Sequence, residues 1–181
     1  MTDCDRAIEI VQYDPNWAEE FRMYASKLNT ALGELAVSIE HIGSTSVIGL
    51  AAKPIIDIDV IISSRIVLEK VIETLASIDY IHQGSLGIPG REAFVKAEEK
   101  RLHLYVCSID TPNLHNHLIF RDYLRTHLNE VKAYSELKQQ LALQHYNNRE
   151  MYTESKTKFI DNILVKAQAE YGFHTFQSKG K

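Results

Sequence analysis

Asp57 and Asp59 stand two residues apart in Ile55-Ile56-Asp57-Ile58-Asp59-Val60-Ile61-Ile62, a β-branched run bounded by Pro54 and Ser63-Ser64. Side chains alternate along a strand, so the two acids share one face while Ile56, Ile58, Val60 and Ile62 take the other. At that spacing the carboxylates lie about 6–7 Å apart, roughly 2–3 kcal/mol of repulsion at an effective dielectric near 20. A divalent cation held between them turns that repulsion into binding. Carboxylates completed by phosphate oxygens suit Mg2+ (or Mn2+), which makes Asp57 and Asp59 candidate metal ligands and catalytic residues.

Upstream, Gly43-Ser44-Thr45-Ser46 follows a short apolar segment. A glycine beside small hydroxyl residues lets backbone N–H groups approach phosphate oxygens, and the hydroxyls add donors. Gly43 and Ser44 are therefore candidate phosphate contacts. Downstream, Leu102, Leu104 and Val106 fall on one face of a strand, which leaves His103 and Tyr105 on the other. His103 is thereby expected to face the same cleft as the aspartates, where a neutral imidazole could act as base or ligand. Lys53, Arg91 and Lys156 are the basic residues expected near the site. Arg91 follows the glycine-rich Gly87-Ile88-Pro89-Gly90, a loop able to fold over a ligand, and with Lys156 it is a candidate phosphate clamp. His115-x-His117 carries no metal reading, because at that spacing on a helix the rings point about 200° apart. His41 reads as a hydrogen-bonded histidine bordering the site.

The elements that must position these groups follow from periodicity. Residues 7–12 suit a short strand or extended arm. Asp14-Pro15 starts a helix, and Trp17, Phe21, Tyr24, Leu28, Ala31 and Leu35 carry it to about residue 36. A second amphipathic helix starts near Ser64, marked by Ile66, Val67, Val71, Ile72, Leu75 and Ile78. Tyr80–His82 is a short strand, Gly84–Gly90 a loop, and 93–96 with 102–107 a hairpin around Ala97-Glu98-Glu99-Lys100. Beyond Thr111-Pro112 the pattern is helical: about 112–127, 130–148 and 153–170, with a loose tail after Gly172.

A chain of 181 residues can bury a substantial core as a single domain, with an α/β part at 1–110 and a helical part at 111–172 packed on it. The net charge of −4 supplies no basic field for long nucleic acid. Cys4 and Cys107 form no CxxC pair and read as reduced thiols. The amino terminus has no apolar signal core and no run reaches membrane-spanning length, so the expected location is cytoplasmic.

A Gly-Ser turn followed by an Asp-x-Asp strand resembles the signature of the nucleotidyltransferase (polymerase-β-like) superfamily. The longer string His41-Ile-Gly-Ser-Thr-Ser-Val-Ile-Gly-Leu-Ala-Ala-Lys-Pro-Ile-Ile-Asp-Ile-Asp-Val60 resembles the GrpB family. So do Tyr13-Asp14-Pro15-x-Trp17, Pro89-x-Arg91, Leu102-His103-Leu104, the 117–125 segment and Tyr152-x-x-x-Lys156-x-x-Phe159-Ile160, which together span roughly residues 8 to 167. The resemblance implies an α/β (α+β) fold, with a nucleotidyltransferase-like mixed β-sheet flanked by helices and an all-helical C-terminal part. On that fold the candidate residues are expected to serve Mg2+-dependent transfer of a nucleotidyl group from a nucleoside triphosphate to a small acceptor. Active nucleotidyltransferases usually add a third carboxylate from a neighbouring strand, and here the 102–106 strand offers His103 instead. That departure supports the alternative, a non-catalytic nucleotide- or coenzyme-binding module. A similar domain appended to some dephospho-coenzyme A kinases fits such an accessory role.

Overall fold

The chain enters as an extended arm in which Val11 and Ala52 exchange backbone hydrogen bonds, each 2.9 Å. A computed structural model describes residues 8–99 and 101–172. Cys4, Lys100 of the expected hairpin turn and the expected tail beyond Gly172 lie outside the described residues. Helix α1, Asn16–Leu32, starts at the expected point: Asp14 Oδ1 accepts from the Asn16 N–H at 2.9 Å. It ends earlier than expected, at Gly33, whose φ of 51° breaks the helix, and one 3-10 turn, Gly33–Leu35, follows.

Five strands form one mixed sheet: β1 (Ser38–Ile42), β2 (Ile56–Ile62), β3 (Ile81–Gly84), β4 (Arg91–Val95) and β5 (Leu102–Ser108), in the order β1-β2-β5-β4-β3. Only β2 and β5 run parallel. The aspartate strand β2 is interior, with β5 in the middle of the sheet. Ile56, Ile58 and Val60 are each 0% exposed and pack on α1 and on α2, Leu68–Ala76. Burying three such chains accounts for several kcal/mol of favourable transfer, at about 1.5–3 kcal/mol each. Ser64 does begin the second helical segment, accepting from the Ile66 N–H at 3.3 Å, but the first turn is 3-10 and Ile66 stays 91% exposed.

Four helices cover the opposite, aspartate-bearing face and its rim: α3 (Pro112–Thr126), α4 (Leu128–Gln144), α5 (Arg149–Ser155) and α6 (Thr157–Tyr171). Pro112 opens α3 from its first turn, as its fixed φ favours. The single helix expected over 153–170 is two, joined at Lys156. The joint lies in Thr153-Glu-Ser-Lys-Thr157, where hydroxyl side chains compete for backbone partners; Thr153 bonds back to the Arg149 carbonyl at 2.9 Å. Leu114 and Leu118 of α3 seal Ile42, Ile61 and Cys107 at one end of the aspartate face. Burial raises the Cys107 thiol to about 12, so it is an inert core thiol. No helix among the described residues is long and apolar enough to cross a membrane.

Candidate functional site

The register of the sheet brings the sequence candidates together. Asp57 lies opposite His103 and Asp59 opposite Tyr105 on β5, and on β1 Ile42 lies opposite Asp57 and Glu40 opposite Asp59. His103 therefore shares the aspartate face, as alternation requires. Its Nδ1 is 2.8 Å from Asp57 Oδ1. A carboxylate only accepts, so Nδ1 carries the proton and Nε2 is left as the basic nitrogen.

Gly43 is explained by Asp57. Its φ is 69°, and a β-carbon there would lie 2.3 Å from Asp57 Oδ2. The carboxylate occupies the space that any side chain at 43 would need. The 3-10 turn Ser44–Ser46 then presents its hydroxyls in different directions. Ser44 Oγ accepts from Lys138 Nζ at 2.9 Å, Thr45 Oγ1 donates to the Ile55 carbonyl at 3.1 Å, and Ser46 Oγ donates to the Gly43 carbonyl at 2.6 Å.

Between this turn, β2 and the helices lies a cavity of about 210 Å³. Asp57, His103, Ser44, Lys53 and Lys156 line it, as the sequence suggests, together with Thr45, Lys138, Arg149, Tyr152 and Thr153. Four cationic side chains thus surround one carboxylate. Lys138 is 2% exposed and sits 4.5 Å over the Tyr134 ring. Burial, then the nearby Lys156, hold its ammonium down to about 7. Burial, then Lys53, hold Lys156 down to about 8. Both lysines approach the Tyr152 ring, Lys53 at 4.7 Å and Lys156 at 4.3 Å. An anion entering here meets cations whose repulsion it relieves.

Lys138 is a residue the sequence reading missed, and a signal for it exists. It falls on the apolar stripe of α4, seven residues after Val131 and four after Tyr134, where a solvated lysine has no place. His117, too far round the helix from His115 to share an ion with it, has another partner. It sits three residues after Leu114 and four before Arg121, both buried in α3, and its Nδ1 reaches Asp59 Oδ2 at 2.7 Å. His115 turns away to the Ile109 carbonyl at 3.2 Å.

Two expectations change. Arg91 does not line the cavity: it opens β4 rather than capping a ligand, and its guanidinium lies 4.2 Å over the Tyr105 ring. Asp59 does not line it either. Its side chain is 0% exposed, with Oδ1 buried and without a hydrogen-bond partner. His41, as expected, is satisfied and buried: it stacks on Phe21 at 4.6 Å, with Nε2 3.0 Å from Thr45 Oγ1.

Among the described residues no group of three or more His, Cys, Asp or Glu could hold a metal alone. The donors still fit an ion that takes its remaining ligands from phosphate. Asp57 is at the cavity wall, and the orphaned Asp59 Oδ1 is a buried carboxyl oxygen two residues away. Glu40, across from Asp59, is held by Arg121 Nη1 at 2.7 Å.

The family model described as GrpB protein matches residues 7–166. The UPF0157 protein YqkA of Bacillus subtilis is 38% identical over 156 residues, 86% of this chain and 46% of that protein, so the chain spans under half of that relative's length. The crystal structure of the conserved protein GrpB from Enterococcus faecalis superposes with a TM-score of 0.82 at 34% identity, covering 90% of this chain and 99% of that one. A structure of Cid1 in complex with the UTP analog UMPNPP aligns with a TM-score of 0.52 at 14% identity, over 74% of this chain and 43% of that one, a likeness of fold alone.

Proposed function

We propose that this chain, which belongs to the GrpB family and has a nucleotidyltransferase-like fold, transfers a nucleotidyl group from a nucleoside triphosphate to the hydroxyl of a small acceptor. The observation that carries the reading is the company Asp57 keeps: Ser44, four cationic side chains and His103 line one cavity with it. A cavity of about 210 Å³ is smaller than sites that enclose a whole ligand, about 300–1,000 Å³, so it takes the phosphate end and leaves the nucleoside outward. Lys138 and Ser44 would orient the phosphates, while Lys53, Arg149 and Lys156 neutralise them. His103 Nε2 would accept the acceptor's hydroxyl proton as its oxygen bonds to the α-phosphorus. The bond to the β-phosphate breaks, and pyrophosphate leaves among the lysines. Asp57 orients His103 through Nδ1 and, with Asp59 Oδ1, would hold Mg2+ (or Mn2+). The ion supplies charge neutralisation that the side chains alone do not. Catalysis here is positioning and electrostatics.

The test is pyrophosphate release with Mg2+ or Mn2+ across nucleoside triphosphates and hydroxyl acceptors. Wild type should release it, and His103→Ala should fall by about 10²–10⁴. A second reading, a non-catalytic nucleotide-binding module, is favoured by a specific observation. The β5 position opposite Asp57 holds a histidine, and the one acid in register with Asp59 on β1, Glu40, is engaged by Arg121. Saturable triphosphate binding without release from any pair would select this second reading. Neither binding nor release would reject both.

A further inference from the structure

The turn that carries Ser44 has a second side. Thr45 borders the phosphate cavity and also a larger one of about 640 Å³, bounded by α1, the turn itself and the junction of α3 with α4. That volume lies within the usual range of small-molecule sites, about 300–1,000 Å³. Phe21, Tyr13, Ile48 and Leu128 give it apolar walls, and its lining contains two arginines and no acid. Ile48 and Leu128 are 74% and 75% exposed, large apolar chains that the core does not use. His41 adds no charge, because burial and then the nearby Arg125 hold its imidazole down to about 4.

The two arginines differ. Arg22 is paired with Glu19 at 2.8 Å, and both side chains are mostly exposed. Arg125 is fixed: Nε and Nη2 donate to the Ser46 carbonyl at 3.1 and 3.0 Å. Its Nη1 reaches Asp122 at 3.5 Å, while Asp122 gives its closer contacts, 2.7 and 3.2 Å, to Arg121. A guanidinium carries five N–H donors in a rigid plane suited to carboxylate, so Arg125 is a preorganised anion contact beside apolar walls.

We propose that this cavity binds a small amphipathic carboxylate, an apolar body the size of an aromatic ring with one carboxylate on Arg125. The claim is independent of nucleotidyl transfer. The probe is 3-phenylpropionate, titrated into the full chain by calorimetry and by amide NMR, beside the neutral 3-phenylpropanol and the cationic 3-phenylpropylamine. The expected result is saturable binding of the acid in the millimolar range or tighter, with amide shifts at Thr45, Ser46 and Ile48. The alcohol should bind about tenfold more weakly and the amine not measurably. Arg125→Lys should weaken the acid by about tenfold, because the planar fork is lost. Since Arg125 also holds the Ser46 carbonyl, Leu128→Glu is the second variant: exposed, it should leave the melt unchanged while repelling the acid. Equal affinity for acid and alcohol, no saturation in the millimolar range, or indifference to both variants would overturn the proposal.

Discussion

Asp57 and Asp59 sit on the same face of the same strand, and each accepts from the Nδ1 of a histidine, at 2.8 and 2.7 Å. There the likeness ends. Asp57 has 26% of its side chain exposed and lines the cavity, whereas Asp59 has none exposed and keeps one oxygen without a hydrogen-bond partner. The difference comes from what lies over the strand. Toward the end of β2 the helix α3 closes down on Ile61 and Cys107, while near its start the helices stand off and leave room for a ligand. An Asp-x-Asp spacing is symmetric in sequence, and the packing above it makes the two acids unequal. Removing charge from both should therefore not be harmless to the fold, because Asp59 is buried and bonded to His117.

Asp57→Asn separates the two acids most sharply. If transfer occurs, it should fall by about 10²–10³, roughly 2.7–4 kcal/mol of transition-state stabilisation, with the melting temperature within a degree or two of wild type. A large drop in melting temperature would show that Asp57 is as structural as its neighbour. Asp59→Asn should cost the fold as well as any transfer that depends on the metal. It alters a buried carboxylate bonded to His117, and about 1–3 kcal/mol of stability should be lost in denaturant melts. A variant as stable as wild type would erase the distinction.

The cations opposite Asp57 give the next effect, read through pH. Phosphate favours charged lysines, so pyrophosphate affinity should fall as pH rises past about 7–8, where Lys138 and Lys156 discharge, by up to about tenfold per unit per coupled proton. The stability sign is opposite. The folded value of Lys138 lies below its unfolded value of 10.5, so the unfolded chain binds more protons from about pH 7 upward. Stability should rise across that window, with the burial penalty fully present below it. Lys138→Met should flatten both profiles, as titration calorimetry and pH-dependent melts can measure.

Gly43→Ala should cost about 1–3 kcal/mol, because an alanine at φ 69° is strained and its β-carbon meets Asp57 Oδ2. Its ligand affinity should fall as in Asp57→Asn, because the displaced carboxylate is the one that lines the cavity. The smallest effect is assigned to Arg91→Leu. Stacked on Tyr105 and outside the cavity lining, Arg91 should change pyrophosphate affinity by less than about threefold. A larger loss would restore it as a phosphate clamp.

Much of the sheet half was legible in the sequence. Period-two alternation fixes which side of β2 is buried and which side His103 shares, because both depend only on strand parity. Ser44, Asp57, His103 and Lys156 meet at the cavity as the sequence suggests. Lys138 and Arg149 were harder to see, since helical spacing shows which residues share a stripe but not what that stripe faces across the fold. Arg91 lies elsewhere for a related reason: the strand expected from 93 already begins at Arg91, and its pairing sets the guanidinium over Tyr105. The split at Lys156 was foreshadowed by its hydroxyl-rich surroundings, which the hydrophobic pattern alone does not weigh.

The cavity takes its carboxylate from the sheet and its cations from elsewhere: Lys138 on α4, Arg149 on α5, Lys156 at the α5–α6 joint and Lys53 ahead of β2. A phosphate held there is therefore a staple across segments far apart in the chain. Partial opening of α5 and α6 would dismantle the cationic side while leaving the sheet intact, so bound polyphosphate should slow amide hydrogen exchange most in those two helices. Protection there, with β2 unchanged, would make ligand occupancy a gauge of how tightly the last helices are docked.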